Sequence, residues 1–240
     1  FCYPFSTMEI KYLGHSSFLI KTTLNQNKFD SGLPRTDLRS GTGAKTAKIV
    51  TDPYDSKMVG LKFPKTEADI VTVSHQHTDH NQVKNVLGLN GVTPLVIDMP
   101  GEFEKIGVRI FGFQSYHDKT KGLERGENIL YKIEAEGISL LHCGDLGVIP
   151  EESFLDSIGD VDILMVPVGG FYTIDSDEAV QLVKKIEPAI VIPMHYGSGK
   201  LAGVSEFTKK FGIENLTPLP KLVYKKEEIE QEMKIIVLEI

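Results

Sequence analysis

Six of the seven histidines in the chain lie in or directly after short apolar segments that are typical of β-strands. His75, His77 and His80 follow 70–74, His117 follows 108–113, His142 lies inside 138–143, and His195 follows 190–193, whereas His15 lies at the junction of the first two predicted strands. Functional groups gather at strand ends, because the loops there converge over one edge of a sheet. The placement therefore predicts one histidine-rich site.

The densest part of that site is the segment His75-Gln76-His77-Thr78-Asp79-His80. Residues two apart in an extended segment can direct both imidazoles at one metal ion, so His75 and His77 are expected to form half of one site. Asp79 and His80 follow as the chain turns, and they indicate a second ion beside the first. Imidazole nitrogen with a few carboxylate oxygens suits Zn²⁺ best, with Mn²⁺ or Fe²⁺ as alternatives.

Neither half-site is complete within this segment, since each needs a further imidazole and a bridging carboxylate would hold the two ions together. Asp145 follows an apolar strand and can supply the bridge. His195 can complete the second site. His117 and His142 compete for the remaining position in the first, and the spacing alone leaves that choice open.

Composition limits the classes of partner. The formal net charge is -7, from 26 basic and 33 acidic side chains, which argues against nucleic acid as a general partner. No apolar run approaches the roughly 20 residues that span a bilayer, and no signal peptide is evident. The two cysteines form no disulfide framework, and a cytoplasmic location is expected. Homo-oligomerisation stays open, and residues 1–7 are interpreted as a remnant of expression or the tail of a longer leader.

The elements that must position these residues follow from the periodicity of the chain. A single domain over 1–240 is expected, with two packed sheets, helices outside and a polar surface loop over 23–45. The predicted strands cover 8–12, 17–21, 48–51, 70–74, 95–98, 108–113, 129–135, 138–143, 163–166, 190–193 and 234–239, and helices are expected at 82–87, 153–158, 177–186 and 205–211. Asp175 to Glu178 has the spacing of a helix capping box, and 225–232 is interpreted as a charged helical face or turn.

Five motifs in chain order resemble the metallo-β-lactamase-fold hydrolase superfamily over nearly the whole chain. They are Asp52 after an early strand, the segment from His75 to His80, then His117, Asp145 and His195. The segments 14–20, 167–170 and 193–196 are similar to a subgroup that includes sugar-lactone-phosphate hydrolases. The resemblance implies an α+β fold, a four-layer αββα sandwich with its site along one edge of the sheets.

The resemblance also implies a ligand set for two divalent metal ions. By analogy, His75, His77 and His117 hold the first ion, Asp79, His80 and His195 hold the second, and Asp145 bridges them. His117 is preferred to His142, because it enters an irregular stretch that can fold over the site. His142 would then support a ligand or contact substrate, and with Asp79 and Asp145 it is a candidate catalytic residue.

The expected chemistry is hydrolysis of a small ester, lactone or phosphodiester by a hydroxide that the metal pair activates. Two ions, two carboxylates and the hydroxide leave a net charge of about +1, which predicts an anionic small-molecule substrate. Asp52, and also His15, are expected to orient a ligand histidine, although His15 could instead contact substrate. Candidate substrate contacts are the backbone at Gly169 and Gly170, together with Arg125 for an anion and Asn128 for an oxyanion.

Two other functional classes share this ligand chemistry. A di-iron redox protein would bring a flavodoxin-like domain, and a nuclease acting as a phosphodiesterase would bring a basic clamp. The sequence shows neither feature, and it therefore favours the hydrolase.

Overall fold

The computed structural model describes residues 7–24, 45–225 and 232–240, so most of the predicted loop 23–45 and of the charged segment 225–232 lies outside the described residues. The strands are β1 Thr7–Gly14, β2 Ser17–Leu24, β3 Lys45–Thr51, β4 Thr66–Ala68, β5 Ile70–Thr72, β6 Val86–Gly88, β7 Leu95–Ile97, β8 Gly101–Lys105, β9 Val108–Tyr116, β10 Glu127–Ala135, β11 Ile138–His142, β12 Ile163–Pro167, β13 Ile190–Met194, β14 Leu222–Lys225 and β15 Lys234–Ile235. The helices are α1 Ser56–Val59, α2 Glu152–Ile158, α3 Ser176–Ile186 and α4 Val204–Lys209.

Two large mixed sheets form the centre of the fold. The first has six strands in the order β14-β1-β2-β3-β5-β7, and the second has seven in the order β15-β13-β12-β11-β10-β9-β8. β11, β12 and β13 run parallel to one another. Parallel strands end at the same edge of a sheet, so the loops after β11 and β13 open on the same side.

Apolar residues occur at neighbouring positions of the strands, so both faces of the six-stranded sheet carry buried apolar side chains. Neighbouring residues of a strand point to opposite faces. In β3, Ile49 packs in the main core with residues of the seven-stranded sheet, whereas Val50 packs in a second cluster on the outer face. In β5, Ile70 and Val71 divide in the same way. The main core therefore lies between the two sheets.

Helix α3 covers the seven-stranded sheet, packing on β12 and contacting α2 and α4. It begins with the predicted capping box: the Asp175 carboxylate accepts from the Glu178 backbone N–H, and the Glu178 side chain accepts from the Asp175 N–H. Ala179, Leu182 and Val183 form its buried face. Two packed sheets with helix α3 on the outside confirm the predicted α+β sandwich.

Two of the predicted elements are wrong in type or length. The helix expected at 82–87 is a single 3₁₀ turn at 83–85 followed by β6, which pairs in parallel with β4. Val83 and Val86 have helical spacing, but Val86 is buried in the outer cluster and the strand pairing satisfies its backbone, which outweighs the local pattern. The last predicted strand, 234–239, is ordered as a strand only over Lys234–Ile235.

Four elements were not expected from the sequence: α1, β4, β8 and β14. Each is short, between three and five residues, so it carries too few periods for a pattern to register. Among the described residues, no helix has the length and apolar character needed to cross a membrane.

Candidate metal centre

Strand ends from both large sheets deliver the histidines and acids to one place. His15 directly follows β1, Asp52 follows β3, His117 follows β9 and His195 follows β13. The segment 75–80 comes shortly after β5, and Asp145 lies three residues beyond β11. The expectation of a single histidine-rich edge therefore agrees with where these side chains lie.

The carboxylate of Asp145 is the centre of the cluster. Its Oδ2 atom lies 3.3 Å from His80 Nε2, 3.3 Å from His117 Nε2 and 3.2 Å from His195 Nε2. Burial by itself would raise the pKa of Asp145, but the imidazoles of His195 and His80 hold that pKa well below its ordinary value. One buried carboxylate thus stands between imidazoles that come from three separate loops.

The potential ligand atoms fall into three overlapping groups. Within each group all ligand atoms lie within 4.8 Å of one another; the groups are His75, His77 and His117, then His75, His80 and Asp145, then His15, His80 and His195. The first group contains imidazoles alone. The second group shares His75 with the first and His80 with the third, so the three groups adjoin one another.

The tautomer of His75 follows from its neighbours. The Ser74 hydroxyl lies 2.6 Å from Asp52 Oδ2 and must donate there, since a carboxylate cannot. That hydroxyl can then only accept from His75 Nδ1, 3.0 Å away. Burial, together with the charge of His80, lowers the pKa of His75 to about 2. His75 is therefore neutral, and its Nε2 presents a lone pair toward the cluster.

Two buried atoms, His75 Nε2 and an oxygen of the Asp79 carboxylate, indicate whether these residues fit a metal ion. His75 Nε2 and Asp79 Oδ1 are buried, and neither has a hydrogen-bond partner among the described residues. Buried polar atoms normally have partners, because an unsatisfied one costs about 1–3 kcal/mol. A buried imidazole nitrogen and a buried carboxylate oxygen without partners are the donor types that Zn²⁺ and similar ions bind, so the residues fit.

His15 lies closer to the cluster than a residue that only orients a ligand would. Its Nε2 is 3.1 Å from His80 Nε2 and 3.3 Å from Asp79 Oδ2. Its carbonyl accepts from the Tyr12 hydroxyl at 2.7 Å and from the His195 backbone N–H at 2.8 Å. His15, Asp52 and His195 all have positive φ angles, of 59°, 39° and 53°. Such backbone strain gathers at functional sites, where the surrounding structure holds it in place.

His142 lies outside the ligand atoms, in agreement with the preference for His117, whereas Asn128 does not lie where an oxyanion contact is expected. His142 is fully buried, and its Nε2 lies 2.8 Å from the carbonyl oxygen of Ser16 rather than among the ligand atoms. The Asn128 amide, predicted as an oxyanion contact, is buried and donates to Ser115 Oγ and the Cys143 carbonyl. Its Oδ1 accepts from the Asp145 N–H at 2.9 Å, so Asn128 positions the Asp145 loop.

Gly169 and Gly170 also serve the loops rather than a substrate. A Cβ on Gly169 would lie 2.2 Å from the carbonyl oxygen of His195, so the absent side chain allows the two loops to pack together. Gly170 has a φ of 62° and adjoins Asp175. Neither residue lines the cavity described below. Sequence reasoning missed Gly147, where a Cβ would lie 2.2 Å from the His117 carbonyl carbon, because a packing contact across the fold leaves no local pattern.

A cavity of about 670 Å³ opens over the cluster. His117, Asp145 and His195 line its floor and are each 2% exposed. The other described lining residues are His15, Lys57, Met58, Val59, Gly60, His77, Asp79, Arg125, Tyr172, Ser198, Gly199, Lys200 and Leu201. Arg125, predicted to meet an anion, is thus placed in the cavity wall, whereas Lys57, Lys200 and Tyr172 were not singled out from the sequence.

This fold and cluster define a protein of the metallo-β-lactamase superfamily. A family model described as the beta-lactamase superfamily domain matches residues 41–195, more than half of the chain, so the chain belongs to this superfamily. Its relatives place it among the metal-dependent hydrolases, which makes it an enzyme of that broad class.

Individual relatives extend over most of the chain. A protein of Thermotoga maritima, assigned as a Zn-dependent hydrolase of the superfamily, is 30% identical, with 96% of this chain and 98% of that chain covered at a TM-score of 0.67. A UPF0173 metal-dependent hydrolase of Staphylothermus marinus is 26% identical over 90% of this chain and 95% of its own. A UPF0173 metal-dependent hydrolase of Thermococcus kodakarensis is 24% identical over 80% and 85%, respectively.

Proposed function

We propose that the protein hydrolyses a small ester, lactone or phosphodiester with the help of two divalent metal ions. Zn²⁺ is the expected ion, with Mn²⁺ or Fe²⁺ as alternatives. The observation that carries the proposal is the Asp145 carboxylate, whose Oδ2 lies within 3.3 Å of three imidazole nitrogens from separate loops. A bridging carboxylate between two imidazole sets is the arrangement that a dinuclear site needs.

The ligands divide between the two ions by their positions. His75, His77 and His117 would hold the first ion, since their ligand atoms form one compact group. His80, His195 and Asp79 would hold the second, with Asp145 bridging. His15 adjoins the second set, because its Nε2 shares a group with His80 and His195.

When bound, two such ions supply a water of lowered pKa and a Lewis acid for developing negative charge. The chain fixes the geometry. Asp52 accepts from Ser74, which in turn accepts from His75 Nδ1, and this chain of hydrogen bonds leaves the His75 lone pair free to bind. Buried ligands around Asp145 exclude bulk water from one side of the cluster, so the cavity is the route of access.

Asp79 and Asp145 are the proposed catalytic carboxylates, and His142 is not. Asp79 Oδ2 lies 3.3 Å from His15 Nε2, so a proton of the His15 imidazole can be held at that oxygen. His142 instead ties β11 to the Ser16 backbone. The chain is proposed to act as one domain, because the site takes residues from the ends of strands in both large sheets.

The substrate is proposed to be a small anion. The cavity volume, about 670 Å³, suits a molecule of drug or metabolite size. Phosphorylated sugar lactones belong within this proposed range, as do simple esters and phosphodiesters. A cytoplasmic location accords with the two cysteines but stays a prediction.

Metal content and a substrate panel test the proposal together. Elemental analysis of the purified protein should give close to two ions per chain, and chelation should abolish hydrolysis until Zn²⁺ or Mn²⁺ is added back. The panel would contain lactones, aryl esters, phosphodiesters and β-lactams at defined metal. Protein that neither contains nor takes up metal would contradict the dinuclear site, and two tightly bound iron ions with an oxygen-dependent spectrum would favour redox chemistry instead.

A further inference from the structure

Three cations surround the upper part of the cavity. Lys57, Arg125 and Lys200 line it together with the candidate ligands. Among the described lining residues the carboxylates are Asp79 and Asp145, and both are proposed metal ligands. The chain as a whole carries a net charge of -7, so a group of three cations at one opening differs from its overall acidic character. A cavity lined in this way concentrates field lines that attract an anion.

Two of these cations rest on aromatic rings. The Arg125 guanidinium carbon lies 4.3 Å from the centre of the Tyr172 ring, and Lys200 Nζ lies 4.6 Å from the centre of the Phe171 ring. The two rings contact each other edge to face, with centroids 4.4 Å apart. A cation held over a ring keeps its charge toward solvent while losing part of its conformational freedom. Arg125 and Lys200 are therefore held in place before any ligand arrives.

The two aromatic side chains are substantially exposed. Phe171 is 56% exposed and Tyr172 is 39% exposed. Phe171 has a φ of 58°, a conformation that a bulky residue rarely adopts, and it follows Gly170 with a φ of 62°. The strained backbone places two rings at the opening of a cavity, where their exposure does not stabilise the fold. We therefore infer that the two rings contribute to ligand binding.

The three cations lie nearer to solvent than the innermost residues of the cluster. His117, Asp145 and His195 are 2% exposed, whereas Lys57 and Lys200 are exposed and Arg125 is half-buried. A charged group held by Arg125 and Lys200 would therefore be distinct from the bond that reacts at the floor. Met58, Tyr172 and Leu201 also line the cavity and provide apolar surface there.

We propose that Arg125 and Lys200, supported by Tyr172 and Phe171, form a specificity site for an oxyanion that is remote from the scissile bond. This inference rests on the proposed function. The substrate would carry a carboxylate or phosphate group at one end, an apolar or aromatic body, and the hydrolysable bond at the other. Arg125 binds the oxyanion through its fork of N–H donors, and Lys200 adds a point charge.

The kinetic test compares three acetyl esters on the metal-loaded protein: phenyl acetate, 4-acetoxybenzoate and 4-acetoxyphenyl phosphate. The leaving groups differ in reactivity, so each rate is corrected by the rate of alkaline hydrolysis. At least one anionic ester should have a corrected kcat/KM about tenfold above that of phenyl acetate. The double variant R125Q/K200Q should lose this preference through KM, and Tyr172→Leu should lose part of it.

The matched control is K184Q/K185Q, which removes two charges from the last turn of α3, away from the cavity. This control should keep the full preference for the anionic ester. Equal corrected rates for neutral and anionic esters would overturn the inference, as would a preference that survives in R125Q/K200Q. Comparison of the carboxylate ester with the phosphate ester shows which oxyanion Arg125 and Lys200 prefer.

A binding measurement separates this inference from the proposed hydrolysis. Calorimetric titration of the metal-loaded protein with benzoate and with benzyl alcohol requires no turnover. R125Q/K200Q should bind benzoate about tenfold more weakly, with binding of benzyl alcohol unchanged. Protein that binds benzoate in this way but cleaves no ester, lactone or phosphodiester refutes the hydrolase proposal and keeps the oxyanion site. Unchanged benzoate binding in R125Q/K200Q refutes the oxyanion site.

Discussion

Asp52 and His80 form a fully buried pair, with Asp52 Oδ2 3.0 Å from His80 Nδ1. The carboxylate accepts the Nδ1 proton, which orients the ring so that His80 Nε2 faces Asp145. The same carboxylate also accepts from the Ser74 backbone N–H at 2.7 Å and from the Ser74 hydroxyl. One residue at the end of β3 thus sets the orientation of imidazoles that belong to the proposed metal ligands.

Replacement of Asp52 by Asn should weaken metal binding about 10- to 100-fold, because the amide cannot accept from His80 and Ser74 as a carboxylate does. The measurement is competition for Zn²⁺ with a chromophoric chelator. Asp55→Asn is the matched control, since Asp55 caps α1 and Asn caps helices equally well. Unchanged affinity in the Asp52→Asn protein would show that this hydrogen bond does not orient a ligand.

Asp145→Asn should lower kcat/KM more than a hundredfold and reduce the bound metal from two ions to at most one. The reason is that, in the described part of the chain, Asp145 is the only carboxylate within 3.3 Å of three imidazoles. Activity and elemental analysis measure the two effects. Asp175→Asn provides the control, because it changes an exposed helix cap outside the site. Two ions retained by the Asp145→Asn protein would argue against a bridge.

His117→Ala and His142→Ala should behave differently. His117→Ala removes an imidazole beside Asp145 and should lower the metal content, whereas His142→Ala should retain two ions. His142 is fully buried, so its loss should instead lower the free energy of unfolding by about 1–3 kcal/mol. Metal counting with denaturant unfolding distinguishes the two, and a loss of metal in the His142→Ala protein would reverse the assignment.

Cys143 should resist modification in the native protein. Burial raises the pKa of its thiol well above the ordinary value, and the side chain is inaccessible, so little reactive thiolate forms near neutral pH. In a Cys2→Ser background, mass spectrometry after treatment with iodoacetamide should find Cys143 unmodified in the native state and alkylated in denaturant. Rapid native labelling would mean that β11 opens readily to solvent.

Glu9 should make a small contribution to stability that depends on pH. Hydrogen bonds from Lys221 and then Lys21 lower its pKa from 4.5 to about 2. A depressed carboxyl pKa stabilises the folded state above pH 4.5, and that contribution is lost as the pH falls toward 2. Glu9→Gln should therefore lower the melting temperature slightly at pH 7, with the difference shrinking between pH 4.5 and 2.

The control for that comparison is Glu102→Gln on β8, an exposed carboxylate on the edge strand of the other large sheet. It should not change the melting temperature measurably at either pH. A difference between Glu9→Gln and the unaltered protein that is constant from pH 7 to pH 2 would show that the ion pairs of Glu9 contribute nothing.

Local spacing was sufficient for much of the fold and part of the site. The strands around 17–21, 108–113 and 163–166 are short apolar runs with clear boundaries, and the capping box at Asp175 depends on residues three apart. The segment from His75 to His80 presents its donors within six residues. Each of these features depends on neighbours in the chain, which is why the sequence reveals it.

Contacts between distant residues decided the rest. His117 and His142 are chemically equivalent in the sequence, and only the pairing that brings His142 against Ser16, 126 residues away, separates them. Asn128 and Gly169 are polar or permissive residues near the site, and their roles follow from contacts with the Asp145 and His195 backbones.

By itself, the sequence determined the donor types, the strand ends that carry them and hence the metal-binding chemistry. The tertiary structure decided which donors face one another, placed His15 beside His80, and assembled Arg125, Lys200 and their aromatic supports around one opening. The physical reason is that side-chain chemistry and strand periodicity are local properties. The direction in which a strand-end side chain points depends on sheet register and loop packing, which distant segments set together.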